Sequence, residues 1–168
     1  MRGGSPAPTA DRIHDFACAG THLIYGLTTC LRFGHTAHGL PERMQEQFTL
    51  LVWRLGADVQ LIDRYYQQVA SQYPADLVRV YRREAKLKFL GHAFEILNYA
   101  NLFGLFRPTS AQDAAIRRAQ QALADVVEEF EQEGLGQSAN NPELFALIVS
   151  DLCHAYHGLA MTRGINQA

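Results

Sequence analysis

Apolar positions along this chain recur at spacings of three and four, and no run alternates with period two for long enough to make a strand. The pattern predicts five helices. Thr9 or Asp11 caps the first, which runs to about Phe33 with Phe16, Leu23, Leu27 and Leu31 on its apolar face. Gly34 and the stretch His35 to Pro41 end it. The second runs from Pro41 to about Gln72 with a broad apolar face of Met44, Phe48, Leu51, Leu55, Val59, Ile62 and Tyr66. Tyr73-Pro74 stops it, because the residue before a proline disfavours the helical region.

The third helix is expected from about Asp76 to Phe106. It is apolar over most of its circumference between Leu87 and Phe103, which makes it the central element. Pro108 breaks the chain, and Thr109 with Gln112, or Ser110 with Asp113, forms a capping box for the fourth. That helix turns a narrow stripe of Ile116, Ala119, Leu123, Val126 and Phe130 inward and ends at Gly134 and Gly136. Asn141-Pro142 is a cap and first turn for the fifth, which extends to about Arg163 before Gly164. Leu144, Phe145, Ile148, Leu152, Ala155, Tyr156 and Leu159 are its expected buried set.

Short connections between long helices imply an all-α, single-domain bundle of about five helices in up-down order. It would span residues 9–168, behind a Gly/Pro/Ser tail over 1–8. A chain of 168 residues with 48% hydrophobic and 19% charged residues is ordinary globular material, long enough to bury a core unaided. A formal net charge of -2 supplies no general attraction to nucleic acid or anionic lipid, so neither is expected as a partner. The longest apolar stretch considered as a membrane span, Ala85 to Phe106, is interrupted by Lys86, Lys88, His92 and Glu95. The first residues carry no apolar signal segment. Cys18, Cys30 and Cys153 form no regular framework, which fits reduced thiols and a cytoplasmic location. Cys18 and Cys30 would sit roughly 18 Å apart on one helix, too far to bridge.

Candidate chemistry concentrates in histidines and carboxylates. His14, Cys18 and His22 follow at helical spacing, so Cys18 with either histidine could chelate a metal, or the three form a solvent-facing stripe. Asp151, His154 and His157 recur every three residues on the fifth helix. An acid and a histidine at that spacing occur in helical metal sites, but also as a simple hydrogen-bonded pair or a polar surface. Glu84, Lys88, His92 and Glu95 share one side of the third helix, either as the polar wall of a buried cleft or, more commonly for such a stripe, as its water-facing side. Asp58 lies inside the apolar face of the second helix, where a charge must be paired; Arg54, four residues earlier, is the expected partner. Arg79, Arg82, Arg83, Lys86 and Lys88 read as a solvated basic face. No phosphate-loop, nucleophile-elbow or His-Glu-x-x-His motif is present.

Thr21-His22-Leu23-Ile24-Tyr25-Gly26-Leu27 aligns without gaps to Cys153-His154-Ala155-Tyr156-His157-Gly158-Leu159, with His, Gly and Leu repeated. A mid-helix glycine is unfavourable by about 1 kcal/mol relative to alanine, so each invites a packing explanation such as close helix approach. Asp151-Leu152-Cys153-His154 with the following Gly164, and Thr21-His22 with Trp53-Arg54 and Asp58, resemble a pattern in uncharacterised helical domains of actinobacterial proteins, some encoded near natural-product gene clusters. The resemblance covers residues 1–65 and 149–168 and implies a helical domain with no assigned activity.

These features lead to two main expectations. The first is a His/carboxylate site of His22, His92, His154, Asp151 and Glu95 between helices one, three and five, taking a divalent metal or a small-molecule ligand, with Arg54–Asp58 as a structural pair. The second is a non-catalytic homodimeric interaction module. A third is a carrier of apolar ligands lined by Phe89, Phe94, Tyr99 and Phe103.

Overall fold

The computed structural model describes residues 21–133 and 141–165. Among them are five α-helices and no strand: α1 (Thr21–Arg32), α2 (Leu40–Val69), α3 (Ala75–Leu102), α4 (Ser110–Glu133) and α5 (Pro142–Ile165). The 1–8 tail, the expected cap at Thr9 or Asp11, His14, Phe16, Cys18, and the stop at Gly134 and Gly136 lie outside the described residues.

The punctuation follows the local chemistry. Gly34 at φ +86° ends α1, with its N–H bonded to Leu31 O and that of His35 to Cys30 O. This left-handed closure suits glycine, which has no Cβ to clash. The same pair of bonds closes α3 at Gly104 (φ +67°), from Gly104 N to Asn101 O and from Leu105 N to Ala100 O. The third helix therefore stops at Leu102, short of the expected Phe106, because Gly104 ends it before Pro108 is reached. Thr109 and Gln112 form the capping box reciprocally: Thr109 Oγ1 accepts from Gln112 N, and Gln112 Oε1 accepts from Thr109 N at 2.9 Å. Asn141 Oδ1 caps α5 by accepting from Leu144 N at 3.1 Å, with Pro142 in the first turn.

α3 is the central element. It packs against α1, α2, α4 and, along its greatest length, α5. Phe89, Leu90, Ala93, Phe94 and Ile96 are buried here, which places Phe89 and Phe94 in the packed core. The inward stripes of α2 and α4 are those read from the sequence, from Met44 to Tyr66 and from Ala119 to Phe130.

Two faces differ from expectation. On α1, Thr21, Ile24 and Thr28 are buried while Leu23 is exposed. Thr28 is tolerated inside because its hydroxyl donates to Ile24 O at 2.7 Å. On α5, Leu144, Ile148 and Ala155 face the core, whereas Phe145 and Tyr156 point outward. α5 is apolar on both sides, so periodicity could not choose between them. Pro142–Met161 is long and apolar enough to cross a membrane by length and composition, with a mean hydropathy of 1.3. Among the described residues this stretch passes that test and Ala85 to Phe106 does not.

Two glycines draw α3 and α5 together. A Cβ on Gly91 would lie 2.9 Å from Ala155 N, and one on Gly158 would lie 3.0 Å from both Glu95 N and Phe94 Cβ. Asn98 Nδ2 bridges the same seam by donating to Gly158 O at 2.7 Å. The packing explanation thus holds for Gly158. It does not hold for its counterpart Gly26, where nothing lies within 4 Å of the added Cβ.

Candidate metal centre

The glycine seam brings the middle of α5 against Glu95 on α3. Gly158 abuts the Glu95 backbone, so side chains one turn earlier on α5 fall beside the Glu95 carboxylate. His154 and Glu95 pair through Nδ1 and Oε2 at 2.9 Å, and His157 and Glu95 through Nδ1 and Oε1 at 2.7 Å. One carboxylate thereby engages two imidazoles, one on each oxygen. His92, a turn before Glu95, packs against His154 with ring centroids 4.1 Å apart and the ring planes tilted by 59°. From α1, His22 reaches the other side of His92, Nε2 to Nε2 at 3.4 Å, with the rings edge to face.

His22, His92, His154 and Glu95 are therefore adjacent in space although they come from three helices. Within this group, His92, Glu95 and His154 each offer one ligand atom, and the three atoms lie within 4.8 Å of one another. Donors about 2.0–2.2 Å from a tetrahedral zinc ion are separated by roughly 3.3–3.6 Å, so the three need to close by an ångström or so. His22 and Asp151 fall outside this three-donor set. Asp151 is buried on the inner side of α5, and the described partner of the His154 ring is Glu95 on the neighbouring helix. His157 was not among the site residues inferred from sequence. Its signal was the three-residue repeat with His154, which puts both imidazoles within one turn of the same carboxylate.

The polar stripe of α3 is not a water-facing side. Glu84 is fully buried and His92 is 5% exposed. Helices packed around α3 cover a stripe that would face solvent on a peripheral helix. The consequences are electrostatic. Burial, followed by the neighbouring His154 and His22, pushes the His92 imidazole down to about 4, so it is neutral and has a lone pair at neutral pH. Burial acts to raise the Glu95 carboxyl, but hydrogen bonds from His157 and His154 outweigh it and hold the group below its usual range. Tyr66 is pushed up first by its burial and then by the Glu84 carboxylate nearby. The donors of the cluster are thus a neutral imidazole and an ionised carboxylate, the forms a metal ion takes.

The cluster opens to solvent at its edges. The His154 and His157 side chains are 36% and 56% exposed, against 15% for Glu95. The remaining sequence candidates are structural or outlying. Arg54 Nε donates to Asp58 Oδ2 at 2.8 Å with both side chains mostly covered, and the guanidinium lies over Phe89, 5.2 Å from the ring centroid. Cys30 and Cys153 are free, exposed thiols. The basic run borders a cleft of about 370 Å³ lined by Tyr66, Arg79, Arg82, Arg83, Lys86 and Glu129. Its cations pair with Asp63, Asp76, Glu129 and Glu133, so acids balance bases there and no net charge remains to hold an anion.

Fold and cluster together define an all-helical bundle with a histidine/carboxylate group at the junction of three helices. Comparisons with family models, with curated proteins and with solved structures find no match to this chain.

Proposed function

We propose that this protein binds a divalent transition-metal ion, with zinc the best fit, through His92, Glu95 and His154. The observation that carries the reading is the gathering of two imidazoles and one carboxylate within 4.8 Å. Nitrogen donors with one carboxylate suit zinc and its neighbours better than calcium or magnesium. Three protein ligands leave a coordination position for water or a ligand, and a metal-bound water there would ionise near neutral pH. His157 on the second Glu95 oxygen and His22 against His92 act as outer partners that orient the ligands.

The test is zinc titration by calorimetry with elemental analysis of the dialysed protein. One equivalent should bind to the wild type, and His92→Ala/His154→Ala should lose it while keeping its helical circular dichroism. Equal zinc uptake by the two proteins rejects the site.

A second reading, a homodimeric interaction module, draws on the outward side chains of α5. Phe145, Val149 and Tyr156 are 39%, 38% and 69% exposed, at spacings that place them along one side of the helix. Sedimentation of wild type and Val149→Glu/Tyr156→Glu separates the two readings: an interaction module gives a dimer that the double variant dissociates, and a monomeric wild type removes it.

A further inference from the structure

We infer that the candidate metal centre serves a small aromatic carboxylate, seated on a shelf of Tyr25, Tyr99 and Phe103 with its carboxylate on Arg32. This inference rests on the metal reading and names the ligand class for that site.

The shelf begins where the metal cluster ends. Glu95 and Tyr99 on α3 and Phe103 just past its end follow at intervals of four, so they line one side of α3 over about 12 Å along its axis. Tyr25 from α1 leans on Tyr99 with centroids 5.2 Å apart, and Tyr99 meets Phe103 edge to face at 4.9 Å. Tyr25 lies close enough to Glu95 for the carboxylate to add to the upward push of burial on its phenol. The aromatic run and the metal donors are therefore parts of one surface.

Arg32 closes the far end. Its guanidinium stands 3.6 Å over the Phe103 centroid, and Nη1 donates to the Tyr99 hydroxyl at 2.8 Å. Among the described residues no carboxylate pairs with it, as none pairs with Arg43, Arg64, Arg107 or Arg118; what distinguishes Arg32 is its fixed setting against Tyr99 and Phe103. A cation in the last turn of α1 complements the helix dipole, and that role alone would leave the side chain loose in water. Here two contacts hold the planar group in place while its other N–H donors remain available. A guanidinium fixed in this way matches the two oxygens of a carboxylate. The surrounding side chains supply apolar contact: Phe33 is 71% exposed, Leu102 53% and Phe103 38%. A ring set beside Tyr25 and the exposed edges of Tyr99 and Phe103 would gain apolar contact, place its acid group on the N–H donors of Arg32 that the Tyr99 hydroxyl leaves free, and turn its opposite end toward the cluster.

The experiment uses the full chain and 3-(4-hydroxyphenyl)propanoate, whose phenol and carboxylate are at opposite ends, with its neutral amide as control. Binding is measured by calorimetry on zinc-loaded wild type, Arg32→Gln and Arg32→Lys. The wild type should bind the acid and not the amide. Arg32→Gln should take up zinc unchanged yet bind the acid at least about tenfold more weakly, and lysine should restore only part of the loss, because it lacks the planar fork. Zinc uptake with no binding of the acid, or equal affinity in Arg32→Gln, overturns the inference and leaves the metal reading standing. If the wild type takes up no zinc, the metal reading falls by itself. The shelf is then judged by the same Arg32→Gln comparison on metal-free protein, where a tenfold loss supports it and equal affinity overturns it.

Discussion

Alanine in place of glycine should act with opposite sign at Gly91 and at Gly26. Both lie inside helices, so both gain up to about 1 kcal/mol of helix preference. At Gly26 nothing stands within 4 Å of the new methyl group, and that gain should appear nearly whole. At Gly91 the new carbon falls 2.9 Å from Ala155 N and 3.2 Å from Ala155 Cα. Ordinary contact begins near 3.4 Å, and the obstacle is backbone that cannot rotate aside. α3 and α5 must therefore part by several tenths of an ångström along their longest contact. Overpacking of this kind is unfavourable by roughly 1–3 kcal/mol, and an immovable obstacle puts it at the upper end, for a net loss of about 2 kcal/mol. In a domain of this size 1 kcal/mol moves Tm by roughly 2–4 °C. Thermal melts by circular dichroism should then show Gly91→Ala lowered by about 4–8 °C and Gly26→Ala raised by about 2–4 °C. Zinc affinity should fall in Gly91→Ala, because His154 is the residue before Ala155 and moves with it. A Gly91→Ala protein that melts at or above the wild-type temperature would refute the seam.

Asp58→Ala should destabilise by about 3 kcal/mol in urea unfolding, because it leaves the covered Arg54 guanidinium without its anion, and an unchanged midpoint would show that the pair contributes nothing. His157→Ala should keep one zinc site but weaken it by roughly 10–100-fold in competition with a chelator, as expected for an outer partner of a ligand; unaltered affinity removes that role. In metal-free protein His92 has its folded value near 4, below the ordinary 6.5, so the unfolded chain takes up the proton first. Stability should be whole above about 6.5 and decline by up to about 3 kcal/mol as pH falls toward 4. His92→Gln should remove this contribution to the acid slope, and an identical slope in that variant would place the proton uptake elsewhere.

The helices were legible because their ends are written in residue types with steric or capping roles: Gly34, Pro74, Thr109 with Gln112, and Asn141 with Pro142. Gly104 was overlooked in favour of the more conspicuous Pro108, which made α3 too long. The centrality of α3 was also readable from its apolar circumference. That same centrality reverses the meaning of its polar residues. A stripe of Glu84, Lys88, His92 and Glu95 has the same spacing whether it faces water or the neighbouring helices, and only the packing decides. The outward turn of Phe145 and Tyr156 escaped for a related reason, since a helix apolar all round carries no phase. His22, His92, His154 and Glu95 were visible as residue types on the right helices, but the meeting of His154 with His92 and Glu95 depends on the Gly91–Gly158 approach of α3 and α5. The partner of His154 proved to be Glu95, 59 residues away in sequence, where local spacing had pointed to Asp151.

If the cluster takes an ion as proposed, the double grip on Glu95 bears on the rate and strength of its capture. A free glutamate side chain samples many rotamers, and ordering it costs about 1.5–2 kcal/mol of conformational entropy. With one imidazole on each oxygen, that ordering is complete when the chain folds, before any ion arrives. On the proposed reading an ion would meet a neutral His92 and an ionised, already oriented Glu95, so the barrier to its capture would lie in shedding water from the ion and in a small closing of the rings more than in arranging the carboxylate.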